Sequence, residues 1–132
     1  MEIAKLDSSK RLSNEELAVT VAKNNKLIVP ISRTALNDKL SVIQELVQLY
    51  SDICYLRGKQ PNQVIAVEFA NTVLSDYYFL TIKEIKTALR NAANKESTKF
   101  NPDILVPLLI EWLDNYNQLR EAEIIKNIPH LD

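Results

Sequence analysis

The chain has 132 residues, 46% hydrophobic and 25% charged, with a formal net charge of −1. That length suits one domain that buries its core without a disulfide or a metal. The near-neutral balance excludes the strongly basic character of a whole-chain nucleic-acid binder. The counts of special residues exclude more. A single cysteine, Cys54, cannot close an internal disulfide, and with His130 as the only histidine a zinc centre lacks ligands. A single glycine, Gly58, leaves no phosphate-cradling loop, nucleophile elbow or dinucleotide turn. The opening Met1–Leu12 mixes charges with few apolar residues and is no signal peptide. The longest purely apolar run, Ile104–Ile110, is far too short for a bilayer. These features set the expectation of a protein without membrane contact, in the cytoplasm of a bacterial or phage-infected cell.

In chain order, Ser13 with Glu16 reads as a capping box opening a helix from about Asn14 to Lys23, ended by Asn24 and Asn25. Leu27–Ile31 is apolar but holds Pro30, which predicts a short extended segment at 27–31 docked on the core. The next helix, about 34–57, carries two adjacent apolar seams. One is Leu36, Leu40, Ile43, Val47, Tyr50 and Cys54. The other is Val42, Leu46, Leu49, Ile53 and Leu56. A helix apolar over most of its circumference is expected to be central, with Ile43, Leu46, Val47 and Tyr50 largely buried. Gly58 is placed to end it in a left-handed cap.

Pro61 is expected as the first residue of a third helix whose inward stripe includes Ile65, Phe69, Val73 and Leu74 and which stops near Asp76. Thr81 with Glu84 forms a second capping box, opening a fourth helix to about Asn94 that turns Ile82, Ile85, Leu89 and Ala92 inward. After a polar loop, Asn101–Pro102 is expected to start a long last helix. Pro107 should kink it or restart it one turn later, and Leu105, Leu109, Trp112, Tyr116 and Leu119 should form its stripe. The prediction is an all-α bundle of four to five helices around the 34–57 helix, one domain over 1–132 with mobile ends.

No residue pattern points to catalysis, a metal or a cofactor. His130 lies in a terminal segment unsuited to a fixed catalytic base, and Cys54 lies on an inward seam. Glu121 and Glu123 are two apart and point away from each other. Two features stand out. Lys83, Lys86 and Arg90 share a face of the fourth helix, followed by Lys95 and Lys99. Against Glu84 and Glu96 this gives residues 77–100 a net +3, whereas residues 101–123 carry −4. Beside the strip stand Tyr77, Tyr78 and Phe79. Tyr78 is the candidate stacking group if the face binds single strands, although at least two of the three aromatics are expected in the core and Tyr78 itself in a buried position.

The stretch Phe79–Ile85, then Ile110–Tyr116 and Leu119–Glu123, resembles small helical proteins of Bacteroidetes phages and mobile elements, some of them labelled replisome organisers. The resemblance covers the C-terminal third to half of the chain. It implies a setting in phage replication and no catalytic residues. The preferred expectation is a non-enzymatic helical module binding another protein in replication or particle assembly, with a homo-oligomer also open. The alternative is a nucleic-acid-binding replication accessory using the basic fourth helix.

Overall fold

Ser13 begins the described fold as the sequence predicts. Its Oγ accepts the Glu16 N–H at 3.1 Å and Glu16 Oε1 accepts the Ser13 N–H at 3.0 Å, so both ends of the box are closed. The computed structural model describes residues 12–24, 29–95 and 101–128. Lys99, His130, Leu27, Ile28 and the extreme ends lie outside them. Among the described residues there are five helices and no strand: α1 (Asn14–Lys23), α2 (Ile31–Leu56), α3 (Gln63–Asp76), α4 (Ile82–Lys95) and α5 (Val106–Lys126). No helix is long and apolar enough to cross a membrane.

α1 packs on α5, and α2 packs on α3. α4 touches α1, α2 and α5 and so joins the two pairs. The core runs through Leu17, Leu46, Leu49, Phe69, Leu89 and Leu113, all buried. α2 and α4 run in the same direction, because Glu45 reaches Lys86 and Asp52 reaches Arg90. α2 ends as Gly58 allows. With φ at 68° the glycine lets its own N–H reach Tyr55 O at 3.1 Å and lets the Lys59 N–H reach Cys54 O at 2.7 Å, a complete Schellman motif.

Several boundaries differ from the sequence reading, each for a local reason. α2 begins at Ile31, three residues early, with Pro30 just before it in extended geometry. Val29 and Pro30 are the described part of the extended segment, and Ile31 belongs to the helix. The Ile31 N–H donates to Leu80 O at 2.7 Å and the Ser32 N–H to Tyr78 O at 3.1 Å, so the turn between α3 and α4 satisfies amides that a helix start leaves open. α2 is then broken at Asp38 (φ −152°, ψ 76°), whose Oδ1 accepts the Ser41 N–H at 3.0 Å and recaps the chain as a second helical segment. That break resets the helical phase. Ile31 enters the core, while Leu36 and Leu40, read as inward, are 86% and 66% exposed. Ile43 and Val47 are half-buried rather than fully enclosed, and Leu56 is exposed.

Pro61 stays outside α3. Asn62 caps it instead, its Oδ1 accepting the N–H groups of Val64 at 2.9 Å and Ile65 at 3.2 Å. α5 starts at Val106, not at Asn101, so of the two outcomes expected at Pro107 the helix start is the one found: the proline occupies the first turn, where it needs no N–H partner and causes no kink. Asn101 caps the other end of α2, taking the Arg57 Nε–H at 3.1 Å and donating to Arg57 O at 3.1 Å. Leu105 precedes α5 and Leu119 lies at its edge, so both are exposed, leaving Leu109, Trp112 and Tyr116 as the buried stripe.

This packing predicts a sharp contrast within one helix. Leu46→Ala, at a fully enclosed site, should lower unfolding free energy by about 2–5 kcal/mol. Leu36→Ala should change it by less than about 0.5 kcal/mol. Urea unfolding followed by circular dichroism measures both, and comparable losses would contradict the assigned faces.

Candidate interaction surface

The basic strip is a row on α4 that meets carboxylates on α2. Lys83, Lys86 and Arg90 were expected to stand exposed together. Lys83 is exposed, but Lys86 Nζ lies 3.2 Å from Glu45 Oε2 and Arg90 Nη2 lies 3.4 Å from Asp52 Oδ2. Glu45 and Asp52 are seven residues apart, two helical turns, so they fall on one side of α2 beside the parallel α4. At these exposures each pair adds under about 1 kcal/mol to stability. Their larger effect is on the surface field, since two of the three cations are already faced by carboxylates. Lys95 is exposed and lines a cleft of mixed polar and apolar character with Ser13, Asn14, Asn91, Trp112 and Leu119 at the start of α1. Asn91 Nδ2 ties that cleft together, donating to Leu12 O and Asn14 Oδ1 at 2.9 Å each. The strip and Lys95 therefore do not form one continuous cationic track among the described residues.

The aromatic turn divides as the sequence suggests in number but not in identity. Tyr77 is buried and Phe79 half-buried against the core. Tyr78, expected inside, is 53% exposed and stands edge-on to Phe79 at 5.5 Å between centroids. Its neighbours on the chain supply the packing, and its own backbone carbonyl faces α2.

Beneath that turn lies the feature the sequence reading missed. Glu84 was read as a capping residue, and it is one: Oε1 accepts the Thr81 N–H at 3.0 Å while Thr81 Oγ1 accepts the Glu84 N–H at 3.1 Å. Yet Glu84 is 1% exposed. Its Oε2 accepts a hydrogen bond from the Tyr116 hydroxyl and another from Arg120 Nε at 2.7 Å. Arg120, read as the point where the α5 stripe fades, is buried, and its guanidinium sits 5.5 Å from the Phe79 ring centroid. The signal was present as Tyr116 and Arg120 one helical turn apart, but only the packing of α5 on α4 reveals the carboxylate between them. Burial above all, then the charge of Glu84 and the hydrogen bond to it, hold the Tyr116 phenol far above its ordinary value, with Arg120 opposing. Next to this cluster Asn117 donates to Glu121 Oε1 at 3.1 Å, and its own Oδ1 is buried without a partner among the described residues.

Cys54 is buried, and burial pushes its thiol up, away from a reactive thiolate. One turn earlier on α2, the buried Tyr50 accepts the Asn62 N–H at its hydroxyl at 3.1 Å. Among the described residues no group of three or more His, Cys, Asp or Glu side chains is arranged to hold a metal ion. Exposed apolar side chains also stand on α2 (Leu36 and Leu40), on α3 (Val64) and near the end of α5 (Ile125).

No family model matches the chain, and comparison finds neither a curated protein nor a solved structure similar to it.

Two measurements test the buried cluster. Arg120→Leu leaves the enclosed Glu84 carboxylate without its cation and should cost about 3–5 kcal/mol of stability. A loss below about 1 kcal/mol in chemical denaturation would show that the pair behaves as a surface salt bridge. The second is alkaline. Because the folded phenol of Tyr116 is raised, its contribution is intact below the ordinary tyrosine value of about 10. Above that pH the unfolded chain loses the proton first, so stability falls as pH rises. Tyr116→Phe should flatten that alkaline decline, measured as unfolding free energy between neutral pH and pH 11.

Proposed function

We propose that this protein is a non-enzymatic helical interaction module that binds another protein through the outer side of α2. The observation that carries the reading is Leu36 and Leu40, two large aliphatic side chains at 86% and 66% exposure on a chain with a well-filled core. Isolated exposed apolar residues are ordinary. Here two stand on one element, either side of the break at Asp38, and the half-buried Ile43 and Val47 follow on the same helix, which supports a docking role. The resemblance of Phe79–Ile85 and Ile110–Glu123 to small phage proteins supports a phage-derived role in replication or particle assembly. With that role goes residence in the cytoplasm of a bacterial or phage-infected cell.

The alternative, a nucleic-acid-binding replication accessory, draws support from exposed Tyr78 in the turn before α4 and exposed Lys83 in the first turn of α4. Against it, Lys86 and Arg90 already face Glu45 and Asp52, and binding phosphate would set those carboxylates against the ligand.

Affinity capture from the native cell separates the two. The wild type should retain a specific protein, the Leu36→Glu/Leu40→Glu variant should lose it, and neither should be retained on DNA or RNA at low salt. Retention on nucleic acid that persists at physiological salt and vanishes in Lys83→Gln/Lys86→Gln/Arg90→Gln would replace the preferred reading with the alternative.

A further inference from the structure

We infer that the first segment of α2, residues 31–37, is a strap that opens as a unit about Asp38 while the rest of the bundle stays folded. The torsions of Asp38 leave the helical range, and its Oδ1 takes the Ser41 N–H. The helix after the break therefore has its own cap and does not depend on the turns before it. The segment before the break is about two turns long, too short to hold helical structure by itself. Its attachment is concentrated at one end. Ile31 is buried in the core, and the Ile31 and Ser32 N–H groups reach the carbonyls of Leu80 and Tyr78 in the turn between α3 and α4.

Beyond that clip little holds the segment. Ser32 and Ala35 are half-buried, while Arg33, Thr34 and every residue from Leu36 to Leu40 are exposed. Among the described residues no ion pair reaches Arg33 or Lys39, and the side-chain hydrogen bond of this stretch is the Asp38 cap itself. The second segment is built differently, with Leu46, Leu49, Tyr50 and Ile53 all in the core. A segment with one buried anchor and its backbone facing water opens at a far lower free energy than a helix that fills the core. The motion matters for docking, and that consequence rests on the interaction-module reading, whereas the opening itself does not. Leu36 rides on the strap and Leu40 on the segment after the break. The two exposed leucines therefore keep one relation to each other only while Ile31 is clipped. A partner that touches both binds the closed form better and holds the strap shut.

Residue-resolved amide hydrogen exchange on the full chain, at several urea concentrations below the unfolding transition, tests this. In the wild type the amides of Ala35, Leu36 and Asn37 should exchange at least about tenfold faster than those of Leu49, Tyr50 and Ile53, yet slower than in an unfolded chain. Their rates should hardly change with urea, because the opening exposes little surface, while the core amides should speed up steeply. Ile31→Ala removes the anchor and should bring the strap amides to unfolded-chain rates with Leu49, Tyr50 and Ile53 still protected. Strap and core amides that share one rate and one urea dependence overturn the inference, since α2 then opens only with the whole bundle. Strap amides without protection in the wild type also overturn it, because no clip then exists. So does an Ile31→Ala protein in which both segments lose protection together. A rigid α2 would leave the interaction-module reading standing. Conversely, failure to capture a protein through Leu36 and Leu40 would remove that reading and leave the opening intact.

Discussion

A carboxylate removed from water must be held by enough donors to offset what hydration supplied, and Glu84 meets that condition by joining three parts of the chain. One oxygen closes the Thr81 cap at the start of α4; the other takes Tyr116 and Arg120 from α5. Because Thr81 follows the turn of Tyr77 to Leu80, fixing the cap also fixes that turn. The turn's carbonyls at Tyr78 and Leu80 then receive the first amides of α2. The start of α2, the end of α3, the start of α4 and the second half of α5 are thereby tied to one buried acid. The opposite end of the bundle is joined by smaller contacts, with Arg57 reaching Ala93 O at 3.1 Å and Asn101 bracketing the end of α2.

α2 carries three kinds of surface around one axis. Leu46, Leu49 and Ile53 fill the core. Glu45 and Asp52 meet the cations of α4. The third side carries exposed Leu36 and Leu40 among the polar Asn37, Asp38, Lys39 and Gln44, all exposed. The break at Asp38 connects the first and third of these. By recapping the helix it allows Ile31 to enter the core and leaves Leu36 outside. The proposed function rests on that one local geometry, and on the cancellation of charge between α2 and α4 that lowers the pull of this side on phosphate.

Much of the helical order was legible in the residues. The capping boxes at Ser13 and Thr81 are short-range arrangements whose partners lie three positions apart, so the chain specifies them without reference to the rest of the fold. Gly58 with its positive φ and the apolar periodicity of Val42, Leu46, Leu49 and Ile53 are of the same kind. Where two local signals competed, the outcome was less legible. Asn62 and Pro61 both suit a helix start, as do Pro102 and Pro107, and the chain uses Asn62 as the cap of α3 and Pro107 in the first turn of α5.

What the sequence by itself determined, then, is the all-α class, most helix positions and the inward rows, because these depend on neighbours within a turn or two. Tertiary structure alone decided the charge state of the surface and the identity of the hub. Whether Lys86 and Arg90 form an open cationic face depends on α2 lying beside α4 in parallel. Whether Glu84 is a simple cap or a buried anchor depends on α5 bringing Tyr116 and Arg120 across a separation of more than thirty residues. Whether Leu36 and Leu40 are core or surface depends on a break at Asp38, whose side chain can serve equally in a helix or as the cap that interrupts one. Each is a contact or a competition settled by packing, and no pattern confined to one helix contains it.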